Sequence, residues 1–269
     1  MATRLGVCGW PVAHSRSPAM HNAALEALGL RDWRYQLLPI PPQRFAEVVR
    51  ALPAAGFRGV NVTIPHKEAA LALADDATET ARAVGAANTL TFAGGRIEAD
   101  NTDVGGLLDA LGPARAPAGR RALVLGAGGA GRAAVHALVQ GGARDVQVWN
   151  RTPERARRLC AELGGRTVER PDPADLIVQT TSVGLKDPQD AFKRLPLDAD
   201  TFEAGICVVD LVYRADGTTF LAAARSRGAD VIDGLDVLVG QGARALERWT
   251  GRPPPLDVMR RAVLDQRLA

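Results

Sequence analysis

Arg121-Ala122-Leu123-Val124-Leu125-Gly126-Ala127-Gly128-Gly129-Ala130-Gly131-Arg132 is the stretch on which the fold of this 269-residue chain turns. An apolar run leads into glycines spaced Gly-x-Gly-x-x-Gly, and helical patterning follows as far as Val139. Strand, turn and helix in that order are the setting a dinucleotide fingerprint requires. Gly126 allows the tight turn, Gly128 lets a pyrophosphate approach the backbone, and Gly131 lets helix and strand pack closely. The helix N-terminus then meets the phosphate charge, with Ala127, Gly129 and Ala130 completing the loop. A merely close-packed strand-to-helix turn shares these glycines, but a second strand at Asp145–Trp149, at the expected distance, favours the nucleotide.

At the end of that second strand an NAD enzyme usually carries Asp or Glu; this chain has Asn150-Arg151-Thr152. An acidic side chain would repel a 2′-phosphate, whereas Arg151 attracts it and can lie over the adenine face. NADP is therefore the expected cofactor. Thr152 also occupies the position of a helix N-cap, with Pro153 first in the helix and Arg151 on a solvated surface, and both readings can hold together.

Outward from the glycine loop, short apolar runs alternate with helical patterns. Toward the N-terminus these are Leu5–Cys8, Pro18–Leu28, Tyr35–Leu38, Pro42–Leu52 and Gly59–Val62, a βαβα rhythm that implies a parallel sheet. Ala87–Phe92 and Arg96–Glu98 flank Gly94-Gly95 as a hairpin. A helix from about Asp103 to Leu111 precedes the breaker-rich residues 112–119, so a lobe boundary is expected within 102–119. Beyond Asp145–Trp149 come a helix over Pro153–Leu163 and strands at Leu176–Gln179, Cys207–Asp210 and Asp230–Ile232. After Gly234 the pattern is helical, interrupted by Pro253-Pro254-Pro255. The expected fold is α/β and two-lobed, with a cleft: an N-terminal α/β substrate domain holding a parallel-rich sheet, and a Rossmann-type NADP-binding domain. The last helices, lacking a sheet of their own, are expected to pack back on the first lobe. Residues 1–103 and 239–269 then form the substrate-binding and catalytic domain, and 104–238 the dinucleotide-binding domain.

Composition bounds the function. Hydrophobic residues make up 46% but aromatics only 4%, so the core must be built from Ala, Leu and Val. Net charge is +3, with arginines scattered among 30 acidic residues, and the stripe that nucleic-acid binding needs is missing. Cys8, Cys160 and Cys207 are odd in number and far apart, which fits free thiols in a reducing cytoplasm. Met1–Gly9 reads as a strand rather than an export signal, and no apolar run approaches the roughly 20 residues of a membrane helix. No His, Cys or carboxylate cluster has metal-ligand spacing.

The chain uses arginine thirty times and lysine three times, yet places Lys67 in Asn61-Val62-Thr63-Ile64-Pro65-His66-Lys67, a strand running into a helix. A guanidinium stays protonated at any working pH, whereas a desolvated lysine can release and recover a proton. Lys67 is thus a candidate acid/base group; the plainer reading is a lysine that escaped a drift toward arginine, like Lys186 and Lys193. Gly9-Trp10-Pro11-Val12-Ala13-His14-Ser15-Arg16-Ser17-Pro18 sets two hydroxyls two residues apart in a proline-extended segment, suited to one ligand. Ser17-Pro18 equally reads as an N-cap and first helical residue. Asn101-Thr102-Asp103 and Gly85-Ala86-Ala87-Asn88-Thr89 add polar groups beside the lobe junction, although an isolated Asp103 is more often a helix cap than a catalyst.

Taken in order, residues 9–22, 61–67, 85–89, 101–103, 126–131, 150–152, Asp210–Tyr213 and Gly234–Gly242 resemble shikimate dehydrogenases over essentially the whole chain. The resemblance implies NADP-dependent, reversible reduction of 3-dehydroshikimate to shikimate, a step toward chorismate and the aromatic amino acids. By the same resemblance, Lys67 and Asp103 form the catalytic pair, and Ser15 and Ser17 hold the substrate carboxylate with help from Tyr213. Thr63, Asn88 and Gln241 hydrogen-bond the substrate, while Gly234 joins Asn150, Arg151 and Thr152 on the cofactor side. Lys67 would supply a proton to the developing alkoxide, stabilise it electrostatically, or both. Two departures from the family's pattern stand out. Arg214-Ala215-Asp216-Gly217-Thr218-Thr219 replaces the usual Asn-Pro-x-x-Thr, and Val237 replaces a methionine expected near the nicotinamide. A quinate/shikimate paralogue acting on a related polyhydroxy acid and a non-catalytic NADP-binding sensor are the alternatives. The expected partners are small molecules, shikimate or 3-dehydroshikimate, with no nucleic acid and no membrane, and the chain is expected to act as a monomer or homodimer.

Overall fold

Twelve strands among the described residues form two six-stranded sheets. The computed structural model describes residues 2–187, 191–214 and 217–265, and the chain divides into two compact units, Met1–Gly106 with Leu238–Ala269, and Leu107–Val237.

The first unit opens with β1 (Thr3–Gly9), α1 (Ser17–Ala27), β2 (Trp33–Pro39), α2 (Phe45–Ala51) and β3 (Phe57–Val62). It continues through α3 (Lys67–Leu73), β4 (Asp76–Ala77), α4 (Glu79–Val84), β5 (Thr89–Ala93), β6 (Arg96–Asp100) and the start of α5 (Thr102–Leu111). Its sheet runs β2-β1-β3-β5-β6-β4. β1 pairs parallel with both β2 and β3, and its last five residues are all buried, as a central parallel strand demands. β5 lies antiparallel between β3 and β6, so the sheet is mixed, parallel over β2, β1 and β3 and antiparallel at the expected hairpin. The hairpin is the reason: Gly94 and Gly95 have φ of 57° and 75°, the left-handed pair a two-residue type I′ turn requires. The expected helix over Pro42–Leu52 begins instead as a single 3₁₀ turn, Pro42–Arg44, and turns α-helical only at Phe45.

The second unit contains β7 (Arg121–Leu125), α6 (Gly129–Gln140), β8 (Asp145–Trp149), α7 (Pro153–Leu163) and β9 (Arg166–Thr167). Then follow β10 (Leu176–Gln179), α8 (Ala191–Arg194), β11 (Cys207–Asp210), α9 (Thr219–Ser226) and β12 (Asp230–Asp233). Every pairing is parallel, in the order β12-β11-β10-β7-β8-β9. Counted from β7 this is 3-2-1-4-5-6, a doubly wound sheet whose order reverses between β7 and β10, beside the glycine loop. One aromatic cluster sits here: Phe202 and Phe220 are buried and meet edge to face at 5.2 Å, with Phe192 against both.

The chain ends in α10 (Gly234–Thr250) and α11 (Leu256–Asp265), which return to the first unit. α11 packs on α1, and Trp249 of α10 donates its indole N–H to the Leu90 carbonyl at 3.1 Å. That contact requires Gly59, where a β-carbon would lie 2.2 Å from the indole nitrogen. α5 and α10 touch backbone to backbone: a β-carbon at Gly106 would lie 2.6 Å from the Gln241 amide nitrogen. The three cysteines are free; burial pushes the Cys8 thiol up to about 12 and Cys207 to about 11, keeping both protonated. No helix among the described residues is long and apolar enough to cross a membrane.

Candidate active site

Backbone bonds at the carboxyl end of the first sheet bring three turns together. Thr63 N–H donates to the Cys8 carbonyl at 2.8 Å, Val62 N–H to Asn88 at 2.7 Å, and Asn88 N–H to Asp100 at 3.0 Å. The turns over 63–67, 85–88 and 101–103 therefore lie side by side, where open sheets place their ligands. His66 anchors the first: its Nε2–H donates to the Ile40 carbonyl at 2.8 Å and its ring stacks on Phe45 at 4.3 Å. Burial lowers its pKa, so the ring stays neutral and serves as a peg for the residue that follows.

That residue is Lys67. Its Nζ lies 2.5 Å from Asp103 Oδ2, with the two side chains 12% and 18% exposed. Asp103 Oδ1 accepts from Asn88 Nδ2 at 2.8 Å, and the same amide nitrogen is 3.2 Å from Gln241 Oε1 and 3.0 Å from Thr102 Oγ1. Gln241 in turn donates to the Leu238 carbonyl at 2.9 Å. Lys67, Asp103, Asn88 and Gln241 are thus one connected set, drawn from three turns and α10. The capping reading of Asp103 gives way. The first N–H of α5, that of Thr102, is accepted by Asn88 Oδ1 at 2.7 Å, and the Asp103 carboxylate is engaged by an ammonium and an amide. An ammonium has three hydrogens, so the bond to Asp103 leaves donors for a ligand oxygen.

Ser15 and Ser17 stand at the entrance to α1, and here two expectations are corrected. The segment is not extended: Ser15 N–H donates to the Val12 carbonyl at 3.0 Å, closing a turn. Nor is Ser17 the N-cap; Arg16 holds that position, Ser17 is the first helical residue, and Ser15 Oγ accepts the Ser17 N–H at 3.3 Å. Ser17 is buried and Ser15 half-buried. Thr63, half-buried, packs against Gly9, where a β-carbon would lie 2.5 Å from its methyl.

In the second unit the glycine loop has the geometry its spacing suggested. Gly126 has φ of 117° and donates to the Trp149 carbonyl at 2.7 Å. A β-carbon at Gly131 would sit 2.2 Å from the Gly126 carbonyl oxygen, while one at Gly128 would meet nothing within 4 Å. First and third glycines are demanded by the fold, and the second keeps one face open to a ligand. Asn150 braces the loop: its Oδ1 accepts from Ala127 N–H at 3.2 Å and its Nδ2 donates to the Thr152 carbonyl at 2.8 Å. Thr152 is the N-cap residue of α7, yet its side chain makes no capping bond, and Arg151 is exposed beside it. The open Gly128 face, the α6 N-terminus and a guanidinium fit a dinucleotide carrying a 2′-phosphate. Gly234 packs tightly, a β-carbon there lying 2.7 Å from the Leu211 carbonyl oxygen. Val237 is buried.

Tyr213 is half-buried three residues beyond the end of β11. Its loop is tied by Asp210, whose carboxylate accepts from Thr218 Oγ1 at 2.7 Å, Val212 N–H at 3.0 Å and Gln179 Nε2 at 3.2 Å. Ala215 and Asp216, part of the departure from the family's pattern, lie outside the described residues. Thr218 keeps the threonine of that pattern and caps α9 by accepting from Leu221 N–H. Burial raises the Asp210 pKa to about 7. The folded form therefore holds a proton that the unfolded chain releases near pH 4, and stability from this group falls as pH rises from about 4 to about 7. On the order of 4 kcal/mol is at stake. Thermal midpoints should fall between pH 5 and 7 in the native chain and flatten in Asp210→Asn; parallel pH profiles would refute the assignment.

Tyr35 escaped the sequence reading as a site component, and Asn61, Thr89 and Thr102 entered it only inside longer motifs without a role of their own. Tyr35, Asn61, Thr89 and Thr102 are all buried and all hydrogen-bonded toward Asn88. The signal was available: an asparagine inside the apolar run Gly59-Val60-Asn61-Val62 is costly unless its amide is fully bonded.

Comparison with known proteins identifies the family. Residues 7–90 match the shikimate dehydrogenase substrate binding domain, residues 113–180 the shikimate/quinate 5-dehydrogenase family, and residues 234–264 the shikimate 5′-dehydrogenase C-terminal domain. The NADP(+) shikimate dehydrogenase of Paracoccus denitrificans is 45% identical, covering 96% of this chain and 95% of that one. The enzyme of the same name from Thermus thermophilus is 47% identical over 96% of this chain and 97% of its own. The crystal structure of shikimate 5-dehydrogenase from Thermus thermophilus in complex with NADP(H) and shikimate superposes with a TM-score of 0.88. Coverage in that comparison is 97% of this chain and 98% of the other, at 45% identity. The lysine–aspartate pair, the glycine loop and the arginine at the second strand's end therefore sit in a chain that, along nearly its whole length, belongs to the shikimate dehydrogenase family.

Proposed function

We propose that this chain catalyses the NADP-dependent, reversible reduction of 3-dehydroshikimate to shikimate, with Lys67 and Asp103 as the catalytic pair. The observation that carries the residue assignment is the mostly buried Lys67–Asp103 contact of 2.5 Å beside Asn88 and Gln241. When bound, the reduced nicotinamide supplies the hydride. Lys67 gives the carbonyl oxygen its proton as that oxygen becomes an alkoxide, and its charge stabilises the oxyanion on the way. Asp103 accepts from a ring hydroxyl of the substrate and from the ammonium, holding both in register. Asn88, Gln241 and Thr63 hydrogen-bond the remaining ring oxygens, and Ser15, Ser17 and Tyr213 hold the carboxylate. Arg151 and Thr152 take the 2′-phosphate, the backbone of residues 126–131 takes the pyrophosphate, and Asn150 and Gly234 shape the cofactor's surroundings.

In this reading residues 1–103 and 239–269 bind substrate and residues 104–238 bind the dinucleotide. Lys67, Asp103, Asn88 and Gln241 form a connected set without a residue from a second copy, so action as a monomer or a homodimer is part of the same reading. Three free thiols support a reducing, cytoplasmic setting. The test is absorbance at the reduced-nicotinamide band. Shikimate with NADP should give rapid reduction of the cofactor, at a rate well above shikimate with NAD or quinate with NADP. NADP binding without turnover of shikimate would leave only a sensor on the same fold.

A further inference from the structure

A side-chain amide has two ends of nearly the same shape, so packing alone does not decide which end of Asn88 faces Asp103; hydrogen bonds must. The geometry points to Asn61 as a positioning residue that, through Tyr35 on one side and Thr89 on the other, fixes the orientation of the Asn88 amide against the catalytic carboxylate. This rests on the reading of Lys67 and Asp103 as the reacting pair.

The direction of the relay follows from counting hydrogens. Tyr35 Oη donates its one hydrogen to Asn61 Oδ1 at 2.8 Å. The Asn61 oxygen is thereby committed, and its NH₂ points the other way, to the Asn88 carbonyl at 3.2 Å and Thr89 Oγ1 at 3.2 Å. Thr89 Oγ1, having accepted from Asn61, passes its single hydrogen to Asn88 Oδ1 at 3.0 Å, with Thr102 Oγ1 also in range at 3.2 Å. Asn88 Oδ1 is thus the accepting end, reinforced by the Thr102 N–H at 2.7 Å, and the NH₂ is left facing Asp103 and Gln241. A reversed amide would press an oxygen on the Asp103 carboxylate and an NH₂ on the Thr102 N–H.

The far end of the relay is held in place. The Tyr35 ring stacks on His21 at 4.2 Å with the planes 7° apart, and both are buried. Complete burial lowers the His21 pKa to about 3, so this partner remains an uncharged platform. Asn61 sits on β3 opposite Thr89 of β5, so the sheet register itself sets the spacing of the two. None of these three residues needs to touch substrate for its loss to be felt there.

Thr89→Val removes the hydroxyl while keeping shape and strand preference, and Thr89→Ser restores it. With purified full-length chain, Thr89→Val should lower kcat/KM for shikimate about tenfold, with KM for NADP unchanged. Thr89→Ser should recover most of that loss, and Tyr35→Phe should shift kcat/KM in the same direction by about threefold. A purely structural role would lower the thermal midpoint but leave kcat and both KM values of the folded enzyme at native values, and that result overturns the proposal. Should Thr89→Val not accumulate as folded protein, Tyr35→Phe carries the same test, and native kinetics there overturn it equally. A native chain that does not turn over shikimate would remove the underlying reading first; an active native chain with an indifferent Thr89→Val removes only this inference.

Discussion

Lys67→Met should lower kcat for shikimate oxidation by about 1,000-fold while KM for NADP changes by less than about threefold. Methionine fills nearly the same space, so the loss is one of charge and proton rather than packing. Two effects combine in the native side chain. A positioned proton donor is worth about 100- to 10,000-fold, and a cation held against a developing oxyanion in a site largely withdrawn from water adds to it. The Lys67 side chain is 12% exposed, so solvent replaces little of either contribution. The variant also strands the Asp103 carboxylate, which keeps Asn88 as a donor but loses its ammonium. Leaving one member of a mostly buried pair alone costs about 3–5 kcal/mol, and the thermal midpoint should fall as well. Lys67→Arg separates the two chemical roles: it keeps a cation beside Asp103 but holds its proton at any working pH. Activity of Lys67→Arg near the native level would eliminate proton transfer from this residue and leave only electrostatics.

The main strands of the second unit were legible almost to the residue. β7, β8, β10, β11 and α7 occupy the spans their apolar runs and breakers suggest, because a parallel strand buried on both faces reads as an uninterrupted apolar run. Local sequence carried less at the short elements of both units and at the non-local pairing of the first. The β5–β6 hairpin was readable from Gly94-Gly95, but the antiparallel pairing of β5 with β3 is non-local and no periodicity reports it. β4 and β9 are two residues each, and α4 and α8 six and four, all too short to show a period. α9 (Thr219–Ser226), capped by Thr218, lies in a stretch where no element was expected. At the site, Lys67 could be named because a rare lysine stands out singly, whereas Asp103 took its role only from the ordered set of motifs. Tyr35, Asn61, Thr89 and Thr102 could not be given roles, since each looks like an ordinary strand or turn residue until the register sets them in line. The serine pair shows the opposite failure: Ser17-Pro18 has the composition of a cap, but the turn closed by Ser15 moves the helix start by one residue.

Arg151→Glu should raise KM for NADP by about 100-fold and bring kcat/KM with NAD to within about tenfold of that with NADP. The effect has an attractive part and a repulsive part. Removing the guanidinium deletes charge-assisted bonds to the 2′-phosphate, and the new carboxylate opposes that phosphate directly while offering the adenosine 2′-hydroxyl of NAD an acceptor. Because Arg151 is exposed and Asn150, which braces the glycine loop, is untouched, the pyrophosphate cradle should survive the change. Exposure also makes the interaction sensitive to screening: KM for NADP of the native chain should climb between about 0.05 and 0.5 M salt, and that slope should flatten or reverse in the variant. Thr152→Val supplies the companion measurement. Since its hydroxyl makes no bond to the α7 backbone, replacing it should leave the thermal midpoint in place and raise KM for NADP by about fivefold. A destabilised Thr152→Val with unchanged KM would return Thr152 to a capping role. An Arg151→Glu variant that still prefers NADP at native strength would show that the 2′-phosphate is read elsewhere on the second unit.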